Sequence, residues 1–313
     1  MEERKKIIVI CGPTASGKTG LSIGLAQKYN GEIISADSMQ VYKNLDVGTA
    51  KATKEEQAAV KHHLVDFLSP DQPYNVEIFT RLAKEKIDEI SSEGKIPFIV
   101  GGTGLYIESL VNGITFTEHN SDKTVRKQLE QQLADNGKEW LHGQLVVIDP
   151  EYAATVHPNN AVRVMRALEI YYTTGITMSQ QIADSRPENK PYDVLFLATG
   201  FLDRTKLYEN IDRRVDIMVQ LGILSEAEYV YRNKDFFVNS AAAIGYKEFF
   251  PYFEGTQSLE DCVDTLKKSS RHYAKRQLTW FKRMSDINWL YVDGEDDYKE
   301  KASLLAENFL NGR

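Results

Sequence analysis

Gly12-Pro13-Thr14-Ala15-Ser16-Gly17-Lys18-Thr19 matches G-x-x-x-x-G-K-[ST], the phosphate-binding loop pattern, and everything else in the chain can be placed around it. An apolar, β-rich run at 7–11 precedes it. After it, Leu21, Leu25, Ala26 and Tyr29 recur at helical spacing across 18–29. Strand, loop and helix therefore follow one another as the mechanism requires. The glycines let backbone N–H groups turn inward on phosphate oxygens, and the helix N-terminus adds its positive end. Lys18 supplies a mobile cation to the terminal phosphate, and Thr19 a hydroxyl ligand for Mg²⁺. The stretch Gly12, Pro13, Thr14, Ala15, Ser16, Gly17, Lys18 and Thr19 is thus a binding site for a phosphate-bearing ligand.

Outward from the loop, a second strand is expected at 32–36, a helix near 76–91 and a third strand at 96–100. Short continuous apolar strands separated by helices mean a parallel sheet covered on both faces. The strand pattern stops at about 117. Helices are expected at 124–136, 151–155 and 160–174, with Gly137, Gly143, Pro158 and Gly175 as breakers. A buried strand resumes at 194–199, followed by helices at 204–221, 225–232, 259–284 and 298–310 and a strand at 289–292. The fold expected is α/β: a P-loop kinase-like parallel sheet core with helices on both faces, formed by 1–116 and 192–313, and a helical insertion domain at 117–191.

Composition sets limits on function. With 313 residues, 42% hydrophobic and 27% charged, the chain has the globular average and is long enough for one large domain or two smaller ones. Its apolar runs, at 7–11, 96–100 and 194–198, fall far short of the ~20 residues of a membrane span. The first apolar stretch stops at Gly12-Pro13, too soon for a signal peptide, so a cytoplasmic location is expected. Cys11 and Cys262 lie far apart and form neither a disulfide framework nor a zinc ribbon. His62 and His63 are adjacent and lack zinc-ligand spacing. The net charge of −7 argues against a polyanionic partner, yet 267–283 holds seven bases and no acid, whereas 286–313 holds seven acids against three bases. One basic element, with Lys268, Arg271, Lys275 and Lys282 on a single helical stripe and Tyr273, Trp280, Phe281 and Met284 facing the core, sits inside an acidic protein.

The loop also lacks companions. A nucleotide-hydrolysing protein has a hydrophobic strand ending in a metal-holding Asp, but the third strand runs into Gly101-Gly102-Thr103-Gly104. Asn233-Lys234-Asp235 has the wrong spacing for a guanine-reading motif. What remains is a core that can hold phosphates without transferring a phosphoryl group.

Several further segments, with the loop, resemble one family, the tRNA dimethylallyltransferases or tRNA isopentenyltransferases. They are Asp37-Ser38-Met39-Gln40-Val41-Tyr42, Gly48-Thr49-Ala50-Lys51, His62-His63-Leu64-Val65-Asp66, Gly101-Gly102-Thr103-Gly104-Leu105-Tyr106, Arg163-Val164-Met165-Arg166-Ala167-Leu168-Glu169, Ile244-Gly245-Tyr246-Lys247-Glu248 and Lys275-Arg276-Gln277-Leu278-Thr279-Trp280-Phe281. They keep the family's order over nearly the whole chain. Asn160, Ala52 and Asn44 depart from it, at positions where Asp, Pro and Gly are expected. The zinc finger of eukaryotic members is missing, which resembles a bacterial form.

The resemblance implies transfer of a dimethylallyl group from dimethylallyl diphosphate to the exocyclic amino nitrogen of the adenine 3′ of the anticodon in tRNA, with Mg²⁺ as cofactor. It implies that Asp37, at the carboxyl edge of the second strand, is the general base, that Lys18 and Arg214 (rather than Arg213) reach the diphosphate, and that Thr103 hydrogen-bonds near the reacting centre. For tRNA it implies contacts from Asp37, Ser38, Met39, Gln40 and Thr103, from Arg126, from Val162, Arg163, Val164, Met165 and Arg166, and from Lys268, Arg271, Lys275, Arg276 and Lys282. Asp212 and Asp216 stand as possible partners should Arg213 and Arg214 form only surface ion pairs. A monomer acting on the anticodon stem-loop is expected. The competing readings are a P-loop nucleotide or small-molecule kinase, a prenyltransferase acting on free adenine nucleotides, and a nonenzymatic RNA-binding protein whose loop acts as a nucleotide switch.

Overall fold

The computed structural model describes residues 4–115, 123–185, 187, 189–295 and 297–312. The boundary expected at 116/117 lies outside the described residues, as do Met1, Glu2, Asp296 and Arg313. The chain divides into two compact units, Met1–Val111 with Pro191–Arg313, and Asn112–Lys190.

The first unit alternates strand and helix: β1 (Lys5–Cys11), α1 (Lys18–Lys28), β2 (Gly31–Ser35), α2 (Lys54–Ala59), β3 (His62–His63), α3 (Val76–Ser92), β4 (Ile96–Gly101) and α4 (Gly104–Val111). The second holds α5 (Lys123–Ile148), α6 (Pro150–Ala153), α7 (Ala161–Thr174) and α8 (Met178–Asp184). The chain then returns through β5 (Tyr192–Gly200), α9 (Arg204–Gln220), α10 (Ile223–Arg232), α11 (Val238–Ala241), a 3₁₀ turn at Lys247–Phe249, α12 (Phe250–Phe253), α13 (Leu259–Phe281), β6 (Ile287–Tyr291) and α14 (Tyr298–Leu310). The strands form one six-stranded sheet in the order β3-β2-β4-β1-β5-β6, parallel at every pairing.

The sheet is apolar throughout because both its faces are covered. Along β1, Ile7, Val9 and Cys11 enter one core with Phe79 and Ile87 of α3, Ile107 and Leu110 of α4, and Leu266 and Phe281 of α13. Ile8 and Ile10 enter the other, with Leu21 and Leu25 of α1 and Ala302 and Ala306 of α14. Each Val, Leu, Ile or Phe so withdrawn from water contributes roughly 1.5–3 kcal/mol. Several short elements of this unit were not read from the sequence, among them α2, α11 and α12 as well as β3 and α4. The two-residue β3 exists only through its pairing with Ile33 and Ile34 of β2, and α4 is apolar on nearly every side, so it shows no helical period.

The 112–190 unit has its own core, in which Leu129, Leu141, Leu145, Val164, Met165 and Leu168 are buried. Val164 and Met165, expected at the tRNA, have their side chains in this core, 0% and 6% exposed. Gly137, at φ 85°, breaks α5 as expected, but Gly143 lies within the helix and breaks nothing.

Candidate active site

The P-loop follows β1 at the carboxyl edge of the sheet, where open parallel sheets bind their ligands. Gly12 adopts φ 136°, and a Cβ there would lie 2.4 Å from the carbonyl oxygen of Thr199 on β5, so only glycine fits. Beneath the loop, Ser16 Oγ donates to the Pro13 carbonyl at 2.7 Å and lies 2.6 Å from Thr199 Oγ1. The loop is thereby tied to a neighbouring strand before any ligand arrives. Asn75, Asp203, Ser258 and Asp297 cap α3, α9, α13 and α14 with side-chain oxygens. By contrast, α1 starts from Gly17 in the left-handed conformation, with no side-chain cap and no acid in its first turn. Its amides and the positive end of its dipole are left for an anion.

The loop opens on a cavity of about 460 Å³. One side is formed by residues 14–19, 37–40, 48–50 and 101–102. The other is formed by Ile211, Arg214, Val215 and Met218 of α9 and by Leu266, Ser270, Tyr273 and Gln277 of α13. Lys18, Arg214 and Asp37 thus share one chamber, to whose wall Met39, Ile211, Val215, Met218 and Leu266 add apolar surface. Burial, and after it the nearby Arg214 charge, push the Lys18 ammonium down to about 8. Burial also lowers Arg214, opposed by the Asp37 charge. Two desolvated cations facing one carboxylate leave positive charge in excess, the arrangement that a polyanionic ligand neutralises. Arg213 is exposed and leans only toward Asn210. The acids expected beside the arginine pair are engaged elsewhere: Asp212 takes Arg271 at 2.5 and 2.7 Å, and Asp216 takes Lys267 at 2.6 Å.

Asp37 follows β2. Its Oδ1 accepts the amides of Met39 at 2.8 Å and Gln40 at 3.2 Å, which fixes the carboxylate, and Oδ2 has no hydrogen bond among the described residues. Thr103 Oγ1 is enclosed without a well-formed hydrogen bond, beside the Tyr273 hydroxyl. Tyr273, expected in the core, stands instead in the cavity wall, where burial and then the Asp37 charge push its hydroxyl up to about 12. Ser38 and Met39 line the cavity. The Gln40 amide is spent within the protein: its oxygen accepts from Ser35 Oγ at 3.0 Å and its nitrogen donates to the carbonyls of Thr49 and Ala50.

Two positioning groups escaped sequence reasoning. Gln277 bridges the P-loop and the loop after β4, and Glu226 of α10 gathers the amides of 46–48. A polar residue on the buried face of α13, one turn beyond Tyr273, was the available signal for the first. The second had none, because three of its partners are backbone amides far away in the sequence.

The expected basic stripe divides. Lys268, Lys275, Arg276 and Lys282 are exposed, with Arg276 over the Tyr273 ring at 5.5 Å, whereas Arg271 is committed to Asp212. In the 112–190 unit, Val162 and Arg163 are exposed, and Arg126 and Arg166 both approach the buried carboxylate of Glu169, at 3.7 and 3.2 Å.

For a metal, the described residues contain no cluster of three or more His, Cys, Asp or Glu able to hold an ion. The Thr19 hydroxyl stands exposed at the cavity. One hydroxyl, with phosphate oxygens and water completing an octahedron, is a donor set that suits Mg²⁺ on a diphosphate.

Comparison with known proteins gives one answer over nearly the whole chain. The IPP transferase family model matches residues 40–284, and the isopentenyl transferase model matches residues 5–69. The chain is 46% identical over 286 residues to a tRNA dimethylallyltransferase of Bacillus subtilis (strain 168), covering 91% of this chain and 90% of that one. It is 48% identical over 295 residues to one of Bacillus cereus (strain AH187), covering 94% and 92%. Among solved structures, the full-length tRNA isopentenylpyrophosphate transferase of Bacillus halodurans is 41% identical with a TM-score of 0.72, covering 98% of each chain. A eukaryotic dimethylallyltransferase acting on tRNA is 34% identical with a TM-score of 0.84, covering 99% of this chain and 80% of that one.

Proposed function

The chain belongs to the tRNA dimethylallyltransferase family of IPP transferases, and from that premise we propose how its own residues carry the five-carbon group from dimethylallyl diphosphate to the adenine 3′ of the anticodon and release pyrophosphate. It is a prenyltransferase acting on tRNA. The observation that carries the residue assignment is the single cavity in which the P-loop with Lys18, the Arg214 guanidinium and the Asp37 carboxylate face one another.

Breaking the allylic C–O bond develops charge on the leaving diphosphate. Lys18, Arg214 and the uncapped N-terminus of α1 stabilise that charge where it forms. Thr19 would hold Mg²⁺, whose chemistry there is to neutralise diphosphate charge. The adenine amine is a weak nucleophile because its lone pair is delocalised into the ring, so attack is coupled to loss of a proton. Asp37 accepts that proton on the carboxylate oxygen that the backbone amides leave free. Thr103 Oγ1, enclosed and poorly bonded, is placed to hydrogen-bond the incoming base. Ile211, Val215, Met218 and Leu266 supply apolar surface for the prenyl chain.

The exposed bases of α13, together with Val162 and Arg163 of the 112–190 unit, are proposed to meet the tRNA backbone at the anticodon stem-loop. The adenine leaves its stack to enter the cavity, at a cost of a few kcal/mol that is least in a single-stranded loop. A cytoplasmic monomer is the form proposed; among the described residues, no helix is long and apolar enough to cross a membrane.

The test is incubation with Mg²⁺, labelled dimethylallyl diphosphate and unmodified tRNA, an isolated anticodon stem-loop, or free AMP. Transfer to tRNA and stem-loop with one pyrophosphate per prenyl group, and none to AMP, is expected without ATP. An absolute need for ATP would restore the kinase reading.

A further inference from the structure

Gln277, which bridges the P-loop and the loop after β4, lies in the cavity wall without touching a reacting group in the mechanism above. Gln277 is only 5% exposed, on α13. Its Oε1 accepts the Thr14 amide at 2.8 Å, and its Nε2 donates to the Gly102 carbonyl at 3.0 Å. Both partners are backbone groups of fixed polarity, so the carboxamide has one orientation and no other side chain of its size satisfies both. The approach is so close that a Cβ on Gly102 would lie 2.1 Å from Nε2.

The consequence falls on the P-loop. Its amides are its phosphate donors, but Pro13 has none and the Thr14 amide is spent on Gln277. The Pro13 carbonyl, an acceptor, receives Ser16 Oγ and Lys18 Nζ. Donors for an anion are therefore confined to residues 15–19. We propose that Gln277 is a positioning residue that sizes the loop for a diphosphate: by holding the Thr14 amide and bracing Gly102, it withdraws the donor that a third phosphate would need. This rests on the reading of the cavity as a diphosphate site and adds to it a discrimination against triphosphates. An additional phosphate would meet a carbonyl and a spent amide, and a buried anionic oxygen without donors is costly.

The experiment measures binding of inorganic pyrophosphate and inorganic tripolyphosphate by calorimetry to the wild type, Gln277→Met and Gln277→Glu, with the transfer assay run beside it. Wild type should prefer pyrophosphate by about tenfold or more; Gln277→Met, which frees the Thr14 amide at nearly constant volume, should shrink that preference to about threefold or less. Gln277→Glu keeps an acceptor on Thr14 and should weaken both anions while preserving the ratio. In both variants the donor KM should rise by roughly tenfold with tRNA affinity unchanged. A parental ratio in Gln277→Met, with only a lowered melting temperature, overturns the proposal and leaves the transferase reading intact. Absence of prenyl transfer in the wild type, with the anion ratios as expected, overturns the reading and not the sizing. Hydrogen exchange supplies a check that needs no variant: the Thr14 amide should be protected in the ligand-free enzyme, and free exchange there overturns the proposal.

Discussion

Glu226 Oε2 accepts the Gly48 amide at 3.0 Å while its Oε1 accepts those of Asp46 and Val47, so one carboxylate of α10 gathers three consecutive amides of a loop that lines the cavity. The Tyr246 hydroxyl donates to the same Oε2 at 3.1 Å, and Gly48 lies against the Tyr246 ring, where a Cβ would approach within 2.5 Å. Lys51 adds bonds to the Tyr42 carbonyl and to Asp66 at 2.8 Å each. Glu226→Gln turns one acceptor into a donor facing those groups. It should cost on the order of 1–3 kcal/mol, read from denaturant midpoints, and should lower the transfer rate through the loosened wall at 48–50. Unchanged stability and rate would show that the loop holds its own shape.

Asp37→Asn keeps both backbone amides satisfied, because an amide oxygen accepts as a carboxylate does, but removes the proton acceptor. Single-turnover transfer should fall by about 10²- to 10⁴-fold, the usual worth of a positioned base, with tRNA binding nearly unchanged. A near-parental single-turnover rate would move the base elsewhere.

The helix α13 permits a separation on one element. Lys268, Lys275 and Lys282 are exposed, whereas Arg271 is held by Asp212. Replacing the three lysines with Ala should weaken tRNA binding and flatten the dependence of log affinity on log salt by about 0.7–0.9 per lost contact. Arg271→Ala should instead lower stability, by on the order of 1 kcal/mol for a partly exposed pair, and leave the salt slope alone. Equal salt slopes in the triple variant and the parent would reduce the stripe to a solvated face.

At the far edge of the sheet, Glu32 lies buried between β2 and its neighbours, with His63 Nε2 at 2.6 Å, Lys95 at 2.6 Å and Lys61 at 3.3 Å. Burial acts to raise its carboxyl, but the Lys95, His63 and Lys61 bonds outweigh it and bring it down to about 2. A carboxyl depressed on folding stabilises above its unfolded value and loses that contribution as pH falls through the folded one. Stability should therefore decline between about pH 4.5 and 2, by on the order of 3 kcal/mol from this group. Glu32→Gln should be less stable at pH 7 and show a flatter acid limb in denaturant titrations; a parental acid limb would assign the loss to other carboxyls.

How much was legible follows from how local each signal is. The P-loop, the central strands and helices such as α3, α7 and α9 are short-range patterns, and the structure has them within a residue or two, whereas α5 runs past the expected 136 to Ile148 and α13 stops at Phe281, three residues before the expected 284. The choice of Arg214 over Arg213 was legible in principle: Leu207, Ile211, Val215 and Met218 are buried, and Arg214 borders that stripe while Arg213 points a further 100° round the helix. The pairing of β3, the helix α4, and the roles of Gln277 and Glu226 depend on backbone groups brought from distant parts of the chain, which no spacing encodes. The burial of Val164 and Met165 beside exposed Val162 and Arg163 was not legible either, because a motif marks a segment whereas burial alternates within it.

Lys18 offers the sharpest thermodynamic test of the diphosphate assignment. Burial first, and the Arg214 charge second, lower its ammonium from 10.5 to about 8. Between those two values the unfolded chain keeps the proton and the native protein does not, so this group's contribution to stability rises with pH across that window and is a fixed penalty below it. A bound diphosphate reverses the balance by favouring the charged ammonium. Donor binding should therefore take up little proton at pH 7, about half a proton near pH 8 and close to one at pH 9, with affinity falling up to tenfold per pH unit beyond that point. Calorimetry of dimethylallyl diphosphate binding in buffers of different ionisation enthalpy measures the uptake directly. Lys18→Met should bind the donor more weakly and lose this proton uptake. Uptake that persists unchanged in Lys18→Met would assign the proton to another group and place the diphosphate away from the loop.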